Sequence, residues 1–498
     1  MKNKIFLILF AIQFSICLNT FCQYNWNWVG QNNDFAVTNQ VVKNFNDTIY
    51  TNGLSVYYGD SIPYVSLQEF KFDLQGNLIS DTLLGNIDTT FVIGNNCKFT
   101  NNTFCTYGEV RYPRQPTKLY DQFAYFIDLN NKKHYRFIFT NDSISENYVK
   151  LALRLYENRF CVLIQSTTGS QNPTTICKLL VLDSLQNVIY QKNYSETGFW
   201  YLPNDMKFFE NNYFLVINKM LMNNIQNPSN LVIIKLDTLF NPIHTFKTTT
   251  NNWYFANSSQ FFPNGDFIIG GVHSDAWEPD GDVWQKKYLR RFDKNLNIIW
   301  TKYFGIRNLN TGITKLLITS DGNIAGCGID GLKSDTVGIH ITGCIFKFTA
   351  DGDSIWMKNY QAIDDPVNGD NNELLDLDEM PDGGFIACGK AVAFSPYRQR
   401  GWLMRVDANG CLTPECLNST KEVDESYQFF VYPNPTNDIL NITNPLQIST
   451  YQIYQWDGKL ITQGNNFPID ISKFTNGIYF LKITTKNNQI INQKIIKQ

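Results

Sequence analysis

The sequence predicts an all-β protein, with a seven-bladed β-propeller followed by a small immunoglobulin-like β-sandwich. Hairpins recur through the first four-fifths of the chain at intervals of about 55 residues. No segment shows the apolar periodicity of an amphipathic helix, and the last part of the chain carries short alternating strands with a different spacing. A four-stranded sheet with two apolar faces has to stack against neighbours, as the blades of a propeller do.

The repeat is clearest in three segments that each contain a strand, an Asn-Gly or Asp-Gly turn and a second strand. They are Phe261–Gly271, Ile318–Gly328 and Glu379–Gly389. A second hairpin follows in each unit, and its turn begins at an aspartate whose side chain can cap the reversing backbone. Successive units place this position 54 to 58 residues apart, at Asp73, Asp128, Asp183, Asp237, Asp293, Thr349 and Asp407. Seven such positions at near-constant spacing predict seven units.

The last unit lacks an outer strand, because the chain after Asp407 runs into a short Cys-containing segment. A segment near the start of the chain, Tyr24–Gly30, resembles the outer strand Trp300–Gly305 of an earlier unit. We expect Tyr24–Gly30 to complete the seventh blade, which would remove an unpaired sheet edge.

The first 22 residues have the layout of a secretory signal peptide, with two lysines followed by an apolar run. No later run is long enough for a membrane helix. The expected organisation is a signal peptide at 1–22, a propeller at 23–416, a linker at 417–425 and a sandwich at 426–498.

Nine cysteines follow Cys22 in a compartment that permits disulfides. Cys411 and Cys416 are close enough for a local disulfide. Two further pairs, Cys161 with Cys177 and Cys327 with Cys344, are either disulfides or small buried hydrophobic residues.

The net charge is -3 and only 17% of residues are charged, so no basic surface is expected to attract nucleic acid. The four histidines are scattered, and the sequence contains no His-Glu-x-x-His, Gly-x-Ser-x-Gly or phosphate-loop motif. No catalytic residues, cofactor or metal site is predicted, and the motifs favour a protein that is not an enzyme.

Binding residues are expected in the long loops between the second and third strands of the units. The candidates are Trp277, Asp280, Asp282, Arg398 and Arg400. Aromatic rings with polar neighbours suit sugars, whose C–H faces stack while their hydroxyls form hydrogen bonds. Asp275, Glu278, Asp280 and Asp282 could hold calcium, but a solvated acidic loop is the alternative. Trp200 and Trp253 occupy equivalent positions and are either blade core or part of a ligand platform.

Residues 426–498 resemble the type A sorting domain of type IX secretion. The motif residues are Tyr432, Pro433, Asn434, Pro435, Gly458, Gly477 and Tyr479, with a basic and apolar tail at Lys494–Gln498. The resemblance implies that an outer-membrane translocon reads this domain and that a sortase-like peptidase removes it. The passenger would then be attached to the cell surface or released.

Nine Asp-Ser/Thr triplets, among them Asp81-Thr82-Leu83, Asp183-Ser184-Leu185 and Asp237-Thr238-Leu239, resemble an O-glycosylation motif of bacteria with this secretion system. Turn formation is the alternative explanation, because Asp-Ser and Asp-Thr favour chain reversals.

The predicted function is that of a secreted or cell-surface binding or adhesion module for a glycan or a protein. One alternative is an extracellular polysaccharide hydrolase or lyase that uses carboxylates such as Asp280, Asp282 or Asp370. Another is a structural surface component without a ligand.

Overall fold

The computed structural model contains two compact units, Met1–Leu417 and Asn418–Gln498. It describes residues 26–29, 35–57, 64–84, 90–92, 97–100, 102–111, 120–140, 145–155, 158–168, 174–195, 199–221, 230–248, 253–274, 285–308, 310–334, 338–365, 367–394, 397–412, 431–442, 448–455, 458–486 and 490–498. Every regular element in these ranges is a β-strand. None of the described residues forms a helix long and apolar enough to cross a membrane.

The described strands of the first unit form six sheets, one of which has eight strands because β25 and β27 pair. We number the strand groups as blades 1 to 7 in chain order and divide the eight-stranded sheet between blades 6 and 7. The first three blades are formed by β2 (Phe35–Phe45), β3 (Thr48–Tyr57), β4 (Tyr64–Phe72) and β5 (Leu78–Leu84); by β6 (Thr90–Val92), β7 (Cys97–Thr100), β8 (Thr103–Arg111), β9 (Asp121–Asp128) and β10 (Lys133–Thr140); and by β11 (Ser145–Arg154), β12 (Phe160–Thr168), β13 (Thr174–Leu182) and β14 (Val188–Ser195).

The next three blades are formed by β15 (Phe199–Phe209), β16 (Asn212–Leu221), β17 (Asn230–Leu236) and β18 (Pro242–Lys247); by β19 (Trp253–Phe261), β20 (Phe267–Ser274), β21 (Gln285–Phe292) and β22 (Ile298–Asn308); and by β23 (Thr311–Ile318), β24 (Ile324–Ser334), β25 (Gly338–Phe348) and β26 (Ser354–Tyr360). Blade 7 combines β27 (Asp370–Glu379), β28 (Phe385–Phe394) and β29 (Tyr397–Val406) with β1 (Trp26–Val29).

The ring is closed by a strand from near the start of the chain. β1 pairs antiparallel with β29, with Trp26 opposite Arg405 and Val29 opposite Trp402. Each blade contacts the next, and β2 of blade 1 contacts β27 and β28 of blade 7. The predictions of an all-β propeller and of its closure by this strand are confirmed.

Adjacent blades are held together by apolar side chains on both faces of their sheets. Between blades 4 and 5, for example, Phe214 and Val216 share one buried cluster with Phe267 and Ile269. The first strands of successive blades contact one another and therefore line the centre of the ring. Removing apolar surface from water at these interfaces is the main force that stabilises the ring.

The aspartates of the repeat cap their turns as the sequence predicts. In blade 3, Asp183 Oδ1 accepts hydrogen bonds from the backbone N–H groups of Leu185 (2.8 Å) and Asn187 (2.9 Å). The hydrogen bond from the Asn187 side chain is the main cause that lowers the pKa of the Asp183 carboxyl. Equivalent backbone contacts occur at Asp73, Asp237, Asp293 and Asp407. Thr349 occupies the equivalent position in blade 6, where its Oγ1 accepts a hydrogen bond from the Asp353 N–H.

The innermost strands contain a repeated β-bulge. Six of the seven blades show a register shift at the same place in the first strand, for example between Ile313 and Lys315. Opposite four of these bulges stands a glycine, at Gly53, Gly271, Gly328 and Gly389. At the last three, a Cβ atom would lie 1.8 to 1.9 Å from a carbonyl oxygen of the bulged strand. These glycines are therefore required by close backbone approach.

The two cysteine pairs for which the sequence allowed either a disulfide or buried thiols are not disulfide-bonded. Cys161 and Cys177, like Cys327 and Cys344, are free and buried, because the strand registers place each of them opposite another residue. They are small hydrophobic core residues. Cys411 is disulfide-bonded, and its expected partner Cys416 lies outside the described residues.

The second unit contains two sheets that enclose one core. The strands are β30 (Val431–Tyr432), β31 (Ile439–Ile442), β32 (Ile448–Gln455), β33 (Leu460–Gly464), β34 (Ile469–Asp470), β35 (Gly477–Thr485) and β36 (Ile490–Lys497). One sheet has the order β30-β31-β34 and the other β33-β32-β35-β36. Leu440, Ile453, Leu481 and Ile495 are fully buried between them. This is a small β-sandwich, as the alternating pattern predicts.

Candidate functional site

Two of the predicted binding residues, Arg398 and Arg400, lie at the end of the propeller where the first strand of each blade begins and the second ends. Trp277, Asp280 and Asp282 fall in the connection from β20 to β21, outside the described residues, as do Asp275 and Glu278. Arg398 and Arg400 lie at the start of β29, and Arg400 is half-buried. The end of the propeller that carries these residues contains two polar clusters.

The first cluster lies at the junction of blades 4 and 5, and we call it the aromatic cleft. It consists of Trp200, Tyr254, His273, Arg290 and Tyr303. Tyr254 stands directly opposite His273 in the pairing of β19 with β20. The His273 ring lies 4.6 Å from the centres of both Tyr254 and Tyr303, between the two. The two tyrosine hydroxyls share a hydrogen bond of 2.7 Å.

Trp200, on the first strand of blade 4, lies on the sheet face that meets blade 5 at the same junction. Trp200 and Leu202 are two residues apart on β15, so their side chains lie on the same face of the sheet. Leu202 is paired with Asn218 of β16, which lies on that face too. The Asn218 side chain accepts from Ala256 N (3.0 Å) and donates to Ala256 O (3.1 Å) across the blade junction. Trp200 therefore projects from the face of blade 4 that meets blade 5. It is 36% exposed and Tyr303 is 45% exposed, so both rings are accessible. The platform interpretation of Trp200 is favoured over the core interpretation.

Hydrogen bonding and charge fix the polar atoms of the aromatic cleft. The Arg290 guanidinium lies 4.4 Å from the centre of the Tyr254 ring, and its Nε donates to Thr301 Oγ1 at 2.8 Å. Burial, followed by the hydrogen bond with Tyr254, raises the pKa of Tyr303 to about 12. The Tyr303 hydroxyl is therefore protonated at neutral pH and can donate a hydrogen bond. The Arg290 guanidinium and Tyr254 are buried beneath it.

His273 and Ser274 close β20, and Gln285 opens β21. Residues 275–284, which contain Trp277, Asp280 and Asp282, connect these two strands of blade 5 and lie outside the described residues.

The second cluster lies at the junction of blades 6 and 7. Nδ1 of His340, at the start of β25, is 2.9 Å from Oδ2 of Asp370, at the start of β27. Asp370 is fully buried, and its oxygens also accept from Asp365 N (3.1 Å) and Asn372 Nδ2 (2.8 Å). Asp370 is thus buried and used in these bonds, and the hypothesis that it acts as a catalytic carboxylate stays a prediction.

A cavity of about 410 Å³ opens among the innermost strands. Its charged lining residues are Lys43, Lys315, Asp378 and Glu379. Lys43 pairs with Asp378 at 2.6 Å, and the Glu379 carboxylate accepts from Ser320 N at 2.7 Å. The Lys43–Asp378 pair links blades 1 and 7, and the Ser320–Glu379 hydrogen bond links blades 6 and 7. We therefore infer that these contacts stabilise the ring.

Among the described residues, no group of three or more His, Cys, Asp or Glu side chains is arranged to hold a metal ion. The acidic residues considered for calcium lie outside that part of the chain, so the calcium hypothesis stays a prediction.

The sorting motif joins the two ends of the second unit. Asn434 Nδ2 donates to Lys494 O (2.7 Å), and its Oδ1 accepts from Ile496 N (2.9 Å). Thr436 continues the contact, because its N–H donates to Ile496 O and its carbonyl accepts from Gln498 N. Pro433 and Pro435 flank this asparagine, and both follow cis peptide bonds. The Tyr-Pro-Asn-Pro motif thus fastens the basic and apolar tail.

The other motif residues have structural roles in the sheets. Gly458 adopts a φ of +82° in the turn between β32 and β33, which favours glycine. Gly477 begins β35. Tyr479 is buried, and its hydroxyl donates to Thr475 O at 2.7 Å.

The sequence pattern did not single out Arg290, Tyr303 or His340 as site residues. Arg290, Tyr303 and His340 stand inside strands, where alternation predicts only a face of the sheet.

The family profile described as the secretion system C-terminal sorting domain, Por_Secre_tail, matches residues 430–498. No curated protein matches the chain in sequence. Among solved structures, the chain is similar to a polysaccharide lyase of the PL25 ulvan lyase family, with 10% identity over 78% of this chain and 97% of that chain and a TM-score of 0.45. The polysaccharide lyase Uly1 gives 8% identity over 78% of this chain and 93% of that chain, with a TM-score of 0.43.

The β-propeller domain of the Trilobed protease from Pyrococcus furiosus gives 8% identity over 77% of this chain and 97% of that chain, with a TM-score of 0.39. At these TM-scores the similarities carry no argument about activity, and the fold assignment stands on the strand pairing. The family match and that pairing identify the chain as a secreted or cell-surface protein, in which a β-propeller passenger carries the C-terminal sorting domain of type IX secretion.

Proposed function

We propose that the protein is a glycan-binding module of the cell surface or the secreted fraction, and that the aromatic cleft is its binding site. The single observation that carries this proposal is the pair of accessible rings, Trp200 and Tyr303, on opposite walls of one blade junction. Sugar rings stack their C–H faces on such side chains.

The polar atoms of the cleft support the same ligand class. The exposed Tyr303 hydroxyl offers a hydrogen bond to sugar hydroxyls, in a position set by its contact with the buried Tyr254 hydroxyl. A pre-organised site loses less conformational entropy on binding than a flexible one. The loop at 275–284 adds Trp277, Asp280 and Asp282 as further contacts, and Arg398 and Arg400 belong to the same end of the propeller.

The finer details of export belong to the same proposal. Residues 1–22 act as a signal peptide, and the type IX translocon at the outer membrane reads the second unit. A sortase-like peptidase then removes that unit at the linker, residues 417–425. Some of the Asp-Ser/Thr triplets are glycosylated in the exported protein.

Binding of the full chain to an array of plant, algal and bacterial glycans tests the proposal, with the dissociation constant then measured by calorimetry with and without calcium. Trp200→Ala and Tyr303→Ala should each weaken binding about fivefold, because each removes an aromatic face worth about 1 kcal/mol. Phe480→Ala is the matched control, since Phe480 is also 45% exposed but lies in the second unit. Equal affinity in the wild type and both cleft variants would refute this site, and a wild type that binds no glycan would refute the ligand class.

A further inference from the structure

The outermost strands of five blades carry the same exposed residue type at the same place. In blades 1, 3, 4, 5 and 6, the outermost strand begins with a β-bulge, because one of its residues has no partner in the pairing with the third strand. The unpaired residue is an isoleucine in every case, at Ile79, Ile189, Ile243, Ile299 and Ile355. These side chains are 41% to 59% exposed. A bulge requires an extra residue, but it does not require an apolar side chain in contact with water.

The five isoleucines lie at one height along the axis of the ring. Equivalent positions in successive blades are related by rotation about that axis. The bulges directly follow the capped turns between the third and fourth strands, so they lie at the end of the propeller opposite to the aromatic cleft. We call this end the turn end. It presents a flat arc of aliphatic side chains to solvent.

The arc is densest on blades 3 and 4, where two leucines of the capped turns add to it. Leu185 is 79% exposed and Leu239 is 66% exposed. The two blades are joined at this place, because Lys192 Nζ of blade 3 donates to Asn241 Oδ1 of blade 4 at 3.1 Å. Asn241 stands between Leu239 and Ile243 in the chain, so an ammonium group lies within the apolar patch. Exposed apolar patches of this kind mark interaction surfaces.

Positive charge accompanies the patch. The outer hairpins of blades 2 to 5, which are β9–β10, β13–β14, β17–β18 and β21–β22, contain 14 lysine and arginine residues and five aspartates. Asp121 and Asp128 are buried, and Asp183, Asp237 and Asp293 cap their turns. The net charge of -3 for the whole chain conceals this local excess of cations.

Blade 2 carries cations where the other blades carry the aliphatic bulge. Its outer hairpin pairs without a register shift, and Lys132 and Lys133 at the turn are both exposed. Gln186 Nε2 of the blade 3 turn donates to Arg136 O of the blade 2 outer strand at 2.9 Å. The cations of blade 2 therefore adjoin the apolar patch.

The partner has to offer apolar contact and negative charge in one plane. A bilayer with anionic head groups offers both, because aliphatic side chains enter the acyl boundary while lysines contact the phosphates. A nucleic acid offers negative charge along its backbone but no flat apolar surface. A second copy of the same face would bring like charges together.

We propose that the turn end of blades 2 to 5 docks on an anionic lipid surface. The side chains of the bulges and turns enter the acyl boundary, and Lys132, Lys133 and Lys192 contact the lipid phosphates. The aromatic cleft at the opposite end then faces away from the lipid. This inference goes beyond the glycan-binding proposal and does not depend on it.

Co-sedimentation of the full chain with lipid vesicles tests the proposal. The wild type should bind vesicles of equal parts phosphatidylglycerol and phosphatidylcholine, and added salt should weaken this binding. Ile189→Ser combined with Ile243→Ser should weaken it about tenfold, because both side chains lose their burial in the acyl boundary. Val367→Ser is the matched control and should bind like the wild type. Val367 is 74% exposed, but it lies in the connection from blade 6 to blade 7, at the end that carries the aromatic cleft.

Lys132→Gln combined with Lys133→Gln tests the charges separately and leaves every aliphatic side chain in place. It should weaken binding to the anionic vesicles about thirtyfold and leave binding to phosphatidylcholine vesicles unchanged. Absence of vesicle binding by the wild type, or equal binding by the wild type and both double variants, would overturn the proposal. A wild-type dimer that the isoleucine variant dissociates would assign the patch to a second copy instead. A sugar on Ser184 or Thr238 of the exported protein would also contradict docking, because both residues lie within the patch.

Discussion

Asp376 provides the sharpest test of how the ring is held closed. It lies on β27 of blade 7, and it contacts the blades on both sides. Its Oδ2 accepts from Val42 N of blade 1 at 3.0 Å, and its Oδ1 pairs with Lys315 Nζ of blade 6 at 2.6 Å. Replacing Asp376 with alanine therefore removes one polar link to each neighbouring blade.

The expected loss of stability follows from what Asp376→Ala leaves behind. Val42 is 2% exposed, so its N–H would be buried without this partner, at a cost of about 1 to 3 kcal/mol. Burial by itself would lower the pKa of Lys315. The nearby carboxylates, led by Asp376, outweigh burial and raise this pKa, so the ion pair between Lys315 and Asp376 is favourable. Breaking a buried pair costs about 3 to 5 kcal/mol. The Lys315 side chain is 23% exposed, so water screens part of this cost. We expect a total of about 4 kcal/mol.

Urea unfolding of the full chain, followed by tryptophan fluorescence, measures the effect. Asp353→Ala is the control, because Asp353 pairs with Lys302 at 3.4 Å with its side chain 76% exposed. An exposed pair of this kind contributes about 0.3 kcal/mol. The midpoint for Asp376→Ala should fall far below that of the control. Equal midpoints for the two variants would show that the polar links across the closure add nothing to apolar packing.

Two further predictions concern the bulges and the exposed triplets. Gly328→Ala would place a Cβ atom 1.9 Å from Gly312 O and should destabilise the protein by about 3 kcal/mol. Gly322→Ala, in an open turn at a φ of +80°, should cost only about 1 kcal/mol, and comparable urea midpoints would contradict the steric argument. The hydroxyl-bearing residues Thr82, Ser184, Thr238 and Ser354 are exposed in the triplets, so the protein exported by its own host should show sugar-sized increments in intact mass. An unmodified mass would leave turn formation as the explanation of the triplets.

The sequence predicted the features that depend on local chemistry and on repetition. Asp183 and its equivalents predict capped turns because an aspartate side chain reaches the backbone two and four residues onward. The spacing of these residues predicts equal units, and the similarity of Tyr24–Gly30 to an outer strand predicts the closure that β1 provides. The Tyr-Pro-Asn-Pro segment predicted the sorting domain that the family profile matches.

Tertiary structure decided the features that depend on which blade faces which. Trp200 and Tyr303 are about a hundred positions apart in the sequence, and only the stacking of blade 5 on blade 4 brings them to one blade junction. The pairing of blade 6 with blade 7 likewise buries Asp370 against His340. The sequence by itself determined the units and the export signal, since these follow from neighbouring residues. The sites depend on the packing of separate sheets, which local chemistry does not encode.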